Sequence, residues 1–191
     1  MNGDLADARF LYALLVGAVA IERGLEVLLA RRNLRRVTAR GGLVADRHSF
    51  WDMVAFQVAF LAACVLEVFA PGRPFLPVLG LPMLVLVAAA MALRYWAVAT
   101  LGDRWNLRLV VLPGEPVAIG GPYRCLRHPN YLAVAIETVA LPLVHTAWLT
   151  AGVSAALLAP LLARRIRREE AALARHTDWA TAFAGRGRLL P

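Results

Sequence analysis

The chain contains no lysine. All 21 of its basic residues are arginine, and with the heavy use of alanine, leucine and valine this points to a GC-rich bacterial genome. Cysteine is nearly absent as well. Cys64 falls in an apolar stretch and Cys125 in a basic one, with no metal-ligand spacing. That excludes a disulfide framework or a thiolate metal centre and leaves two free thiols. No segment recurs at a fixed period, which argues against a repeat array. The apolar stretches lack period-2 alternation, which argues against a barrel. The first of them also lacks the features of a signal peptide: Asp4 and Asp7 precede it and Glu22 and Glu26 interrupt it, so it is read as a structural helix.

What the chain does have is length in apolar runs. Its 191 residues are 60% hydrophobic, with a mean hydropathy of +0.59. Five runs account for this, roughly over residues 6–30, 50–69, 78–101, 129–147 and 148–165. Each has about the 17–25 residues that a helix needs to cross the hydrocarbon core, where backbone groups must be satisfied internally. The expected fold is all-α: a polytopic membrane helix bundle of about five spans, forming one domain over 1–191. Within it, 1–101 forms a three-helix part and 102–191 a cofactor-binding part.

The formal charge of +8 does not indicate a nucleic-acid partner, because the arginines cluster between the apolar runs. Arg31, Arg32, Arg35, Arg36, Arg40 and Arg47 fill the first connection. Arg73 is alone in the second. Arg104, Arg108, Arg124 and Arg127 lie in the third, the fourth has none, and seven arginines follow the last run. Basic residues favour the cytoplasmic side, so the N-terminus is expected outside and the C-terminus inside, in a bacterial inner membrane. The fourth connection, around Pro142 and His145, reads as a tight outer turn or a re-entrant break. The third, over 105–123, reads as a small strand-like hairpin around the "PGEP" turn or as an ordered loop at the cytoplasmic face. The tail after Arg164 reads as an amphipathic helix carrying Leu173, Trp179 and Phe183.

Polar chemistry collects in "GGPYRCLRHPNYL", residues 120–132. Pro129 suits a helix's first turn. His128 and Asn130 would flank that helix start, where the dipole favours an anion such as a carboxylate. Arg124 and Arg127 add charge and bidentate donors. Tyr123 and Tyr131 offer faces for an aromatic base or a cation. The set suits a ligand with an anionic end, an aromatic base and a positive centre. Interfacial anchoring is the alternative reading. Further on, Glu169 and Glu170 follow a basic cluster. A carboxylate there could accept hydrogen bonds from ribose hydroxyls or an ammonium group, and Arg165 could pair with Glu169.

Charges inside apolar runs are costly. Glu137 lies mid-run, either as a protonated residue bonded to a neighbouring helix or as the floor of a substrate cavity. Glu22 and Glu26 share a helix face, and Arg94 could pair with one of them in a structural ion pair. Glu67 is expected to reach water near the outer surface.

"GGPYRCLRHPNY" followed by "EEAAL" resembles the isoprenylcysteine carboxyl methyltransferase family, integral membrane enzymes that use S-adenosylmethionine. The shared pattern is G-P-Y, R-H-P-x-Y, a helical hairpin and a Glu-Glu pair, over about residues 101–185. The resemblance implies that Tyr123, His128, Pro129, Asn130 and Tyr131 line the cofactor pocket, with Arg127 beside them. It implies that Glu169 contacts the cofactor with Glu170 adjacent, and that Arg165 lies near cofactor or substrate. The family often has His where this chain has Glu115. Residues 22–42 and 104–117 are similar to bacterial members that O-methylate alkylpyrones or alkylresorcinols. This implies a lipid-tailed enol or phenol as acceptor. An enol or phenol must lose its proton, and Glu137 is the candidate base, whereas a carboxylate acceptor would need none; Arg165 is the second candidate catalytic residue. The alternatives are a phospholipid N-methyltransferase, an NADPH-dependent membrane sterol or enone reductase, and a non-enzymatic scaffold. Oligomeric state is not legible.

Overall fold

In a computed structural model, residues 2–46, 48–70 and 73–189 are described. Arg47 lies outside the described residues, as does the side chain of Asp4. Six helices and two short strands follow one another: α1 (Asn2–Ala39), β1 (Leu43–Asp46), α2 (His48–Phe69), α3 (Pro77–Leu101), β2 (Leu109–Val111), α4 (Pro129–Leu143), α5 (Trp148–His176) and α6 (Trp179–Ala182).

The bundle is stitched by residues at helical spacing. Tyr12, Val16 and Val19 of α1 meet Phe56, Phe60, Cys64 and Val68 of α2, every fourth residue along one face. Tyr131 and Val134 of α4 and Leu158, Leu162 and Ile166 of α5 complete this core. In lipid, such packing is held by van der Waals contact more than by expulsion of water. The large apolar residues on the opposite faces, such as Leu66, Val78 and Val85, are exposed, as lipid-facing residues should be.

Among the described residues, three helices are long and apolar enough to cross a membrane: Phe50–Phe69, Pro77–Arg104 and Trp148–His176. The other two expected spans differ in kind. Helix α1 carries Glu22, Arg23 and Glu26 within its apolar stretch. It also does not stop near residue 30. With no glycine or proline between Gly24 and Gly41, the helix runs through the arginine-rich segment. It ends where Gly41 turns to φ +84° and the Gly42 N–H bonds back to the Val37 carbonyl at 2.9 Å. Helix α4 has only 15 residues, about 22 Å, and is largely buried among its neighbours.

The fourth connection is a tight turn. The Ala147 N–H returns to the Pro142 carbonyl at 3.0 Å, with Thr146 at φ 56° and its hydroxyl donating to the Pro74 carbonyl at 2.6 Å. His145 is buried between the rings of Tyr12 and Phe75, at 5.6 and 5.7 Å. Glu67 does not simply reach water. Its carboxylate accepts the Leu149 and Thr150 N–H groups at 3.1 and 2.6 Å, capping α5 from another helix, and pairs with Arg73 at 2.7 Å.

Of the two readings of 105–123, the structure has the ordered loop and not the hairpin. Strand β2 pairs antiparallel with β1 instead, Leu43 opposite Val111 and Val44 opposite Val110. The segment after "PGEP" is held elsewhere: the Gly114 N–H by the His176 carbonyl and the Val117 N–H by Asp178 at 3.0 Å. The tail is not a separate amphipathic helix either. Its first part prolongs α5 to His176, and only the single turn α6 follows. Its apolar face does find a home, as Trp179 and Phe183 pack with Ala97 and Tyr123, and Leu173 against them.

The β1–β2 pairing and the ion pairs Arg36–Asp103 and Arg168–Asp46, both 2.7 Å, gather the arginine-rich connections at one end of the bundle. The Glu67, Arg73 and Thr146 contacts gather the arginine-poor ones at the other.

Candidate functional site

The motif is placed by a glycine and a proline. Gly121 adopts φ +52°, and a Cβ there would run into the Thr100 hydroxyl and the Trp96 indole nitrogen. Only glycine lets this segment lie flat on α3. Pro129 then begins α4 with His128 as its N-cap residue. This brings His128, Asn130 and Tyr131 to the start of α4 at the arginine-rich end.

The two glutamates of α5 face this helix start but do different work. The Tyr131 hydroxyl donates to Glu169, and the Arg165 Nε donates to the same hydroxyl at 2.8 Å. Arg165 therefore reaches Glu169 through Tyr131, and its remaining arm donates to the Leu107 carbonyl. Glu170 turns to His128, whose Nε2 lies 3.3 Å away. The same carboxylate receives a two-pronged contact from Arg188, at 3.0 and 2.7 Å. That fork orients the Glu170 carboxylate towards the His128 ring. The His128 and Tyr131 rings stack at 5.4 Å.

Arg188 belongs to a strap that sequence reasoning did not identify. Residues 186–188 lie along 126–128. The Arg127 N–H donates to the Gly187 carbonyl at 2.9 Å and the His128 N–H to the Arg188 carbonyl at 3.0 Å. The Arg127 side chain donates to the Arg186 carbonyl at 2.6 Å, and Arg186 to the Tyr123 carbonyl at 2.8 Å. Arg127 also sits 5.2 Å over the Trp179 ring and 3.8 Å from Glu170. Arg124 is exposed.

A cavity of about 460 Å³ opens in front of these groups. Of the expected site residues, Tyr123, Arg127, His128, Asn130, Tyr131, Arg165 and Glu169 line it, whereas Pro129, Glu137 and Glu170 do not. Glu115 lines it too, paired with Arg40. Trp179 and Phe183, stacked at 5.7 Å, join Tyr123 as an aromatic patch on the wall. Burial, and then the nearby Glu169 carboxylate, push the Tyr123 phenol well above its usual range, so it stays a donor at neutral pH. The Asn130 Oδ1 is buried without a hydrogen-bond partner, an arrangement that is costly unless something fills it.

The cavity's far end reaches a second polar group. Glu137 is buried, with Oε2 held by Arg94 at 2.9 Å and Arg23 at 3.0 Å. Arg23 also contacts Glu26 at 2.6 Å and Glu22 at 2.8 Å, and Arg94 contacts Glu26 at 3.5 Å. The expected pairing of Arg94 with the α1 glutamates is present, but Arg23 was overlooked. Its signal was in plain view: "ERGLE" places it one turn before Glu26 on the same face. Arg23, Glu26 and Arg94 line the cavity, together with Gln57, Val54 and Val58 of α2.

Comparison with known proteins agrees with the motif. The model of the isoprenylcysteine carboxyl methyltransferase (ICMT) family matches residues 83–175. The chain is 30% identical over 164 residues to "Uncharacterized protein YpbQ" of Bacillus subtilis (strain 168), covering 85% of this chain and 96% of that one. It is 25% identical over 143 residues to an "Uncharacterized protein" of Haemophilus influenzae (strain ATCC 51907 / DSM 11121 / KW20 / Rd), covering 74% and 83%. No solved structure matches. With its apolar helices, its Gly-Pro-Tyr and Arg-His-Pro-Asn-Tyr segments and its paired glutamates, this chain belongs to the isoprenylcysteine carboxyl methyltransferase family of membrane methyltransferases.

Proposed function

We propose that this protein transfers a methyl group from S-adenosylmethionine to an oxygen of a lipophilic acceptor. The observation that carries the cofactor half is the orphaned Asn130 Oδ1 on a wall shared with Glu169 and the Tyr123–Trp179–Phe183 patch. A buried acceptor beside a carboxylate suits ligand N–H and O–H groups, the aromatic patch suits a purine, and Arg127 suits a carboxylate. S-adenosylmethionine offers all of these together, so the residues present fit it.

Bound there, the cofactor supplies a methyl group on a cationic sulfur. The protein's own part is alignment, which can contribute about 7–11 kcal/mol. Tyr131 and Arg165 hold Glu169 in place. Arg188, through Glu170, holds His128. At the other end, Glu137 fixes Arg23 and Arg94 around the acceptor's polar head, and the apolar α2 wall takes its tail. The arginine-rich end faces the cytoplasm of a bacterial cell, so the polar cofactor arrives from water and the acceptor from the bilayer.

Calorimetry of the purified protein in detergent tests this. Saturable heat with S-adenosylmethionine is expected, with at least tenfold weaker binding in His128→Ala and Glu169→Ala. An unmodified protein that gives no saturable heat overturns it.

A further inference from the structure

A second cavity, of about 400 Å³, lies between α4, α5 and the strap and shares no wall residue with the first. Ala135 and Val139 of α4 and Ala155 and Ala159 of α5 line it. Val139 and Ala159 are exposed, so it opens sideways to the lipid. Its volume falls among those of ligand pockets, about 300–1,000 Å³. From Ala155 to Arg167 its wall runs about 18 Å along α5, a little over half of a hydrocarbon core of about 30 Å. The cavity therefore follows one leaflet, and at its arginine-rich end stand Arg167 and Arg188. Arg167 is exposed, and its side chain pairs with none of the described residues. Arg188 commits Nε and Nη2 to Glu170, which leaves Nη1 to donate elsewhere.

We propose that this second cavity holds an anionic phospholipid from the leaflet on the arginine-rich side, and that the lipid steadies the cofactor wall through Arg188. An acyl chain lies along α4 and α5, and the phosphate sits between Arg167 and Arg188. The effect on the cofactor rests on reading the first cavity as an S-adenosylmethionine site. An apolar trough that ends in two guanidiniums matches a chain that ends in a phosphate, and basic groups at headgroup depth gain from anionic lipid. A second copy of the chain fits worse. In the same membrane it would bring its own arginine-rich end to the same level, like charge against like charge. Arg188 is exposed and held on one edge only. A phosphate on Nη1 fixes the same guanidinium whose other edge holds Glu170 towards His128. The cofactor then meets a wall already ordered, which lowers the cost of binding.

The test uses the full chain in a neutral detergent, titrated with phosphatidylglycerol, phosphatidylcholine or soluble glycerol phosphate, first without cofactor and then with it. Phosphatidylglycerol is expected to raise Tm saturably, at a concentration several times lower than phosphatidylcholine requires, and glycerol phosphate to leave Tm unchanged. Arg167→Gln, on the surface and off the first cavity, weakens phosphatidylglycerol binding about fivefold and keeps cofactor affinity in phosphatidylcholine within about twofold. Ala159→Phe, which fills the trough, weakens both lipids. Saturating phosphatidylglycerol tightens S-adenosylmethionine binding about fivefold over phosphatidylcholine, and the cofactor tightens phosphatidylglycerol by the same factor. Arg188→Ala abolishes that link. Equal binding of the two lipids, an equal response to glycerol phosphate, or a dimer that Ala159→Phe dissociates overturns the site. Equal cofactor affinity in the two lipids overturns the link through Arg188. If the unmodified protein does not bind S-adenosylmethionine, the methyltransferase reading fails, and the titration without cofactor still decides the lipid site.

Discussion

Two polar regions line one cavity and are built in opposite ways. The region around His128 draws most of its side chains from short, contiguous stretches, 123–131, 165–170 and 186–188. Its charges are joined to backbone carbonyls and to a strap that reaches solvent. The region around Glu137 draws Glu22, Arg23 and Glu26 from α1 and single residues from α3 and α4, deep among apolar neighbours, and its charges pair with one another. The first can lose a member and be rehydrated. The second has no water to fall back on, so each member holds the others in place. Ligand recognition is therefore expected to dominate mutational effects in the first region and stability in the second.

The largest effect tests that division directly. Arg94→Leu leaves Arg23 as the one guanidinium facing Glu22, Glu26 and Glu137 and should cost about 3–5 kcal/mol, seen as a much lower Tm in detergent. An unchanged Tm would erase the distinction between the regions. Next, Glu169→Ala should weaken cofactor binding by about 10–100-fold while moving Tm by no more than a few degrees, since Glu169 is only partly buried and stability effects at such sites are small. A collapse of Tm would make the motif structural. Smaller again, Arg188→Ala removes an exposed arginine whose contacts act through Glu170 on His128. Binding should weaken about three- to tenfold, with stability changing by less than about 1 kcal/mol, and Arg188→Lys should restore only part of it because the fork is lost. The smallest effect lies at the far end. Burial lowers the His145 pKa from its usual value, so the unfolded chain binds a proton that the folded chain refuses. Stability from this group is complete above about pH 6.5 and is lost as pH falls towards the depressed value. His145→Phe should flatten that part of the Tm–pH curve, and an unaltered curve would refute the assignment.

The same contrast explains what could be read in advance. "GPYRCLRHPNY" and the glutamate pair are contiguous, so their residue types and order announced a site, and the alternation of arginine-rich and arginine-poor connections announced which ends meet. The far cluster was visible only in pieces. Glu22, Glu26, Arg94 and Glu137 stood out as charges in apolar runs, but which would meet depends on helix rotation, and Arg23 hid between two glutamates. Arg186 and Arg188 were read only as part of the charge that orients the chain, because nothing local marks a segment that returns to pair with 126–128. The "LVAD" strand was masked by the arginines around it, and α1 overran its expected end because charged residues continue a helix as readily as apolar ones.

The strap gives the protein a schedule. Residues 186–188 are made after every helix of the bundle, yet they supply the carbonyls that hold Arg127 and His128 and the side chain that holds Glu170. During synthesis, the helices can enter the membrane and the Glu137 end of the cavity can close while the His128 end is still unfinished. A nascent chain of this design would set its buried ion pairs first and complete the His128 wall only once the strap is laid down.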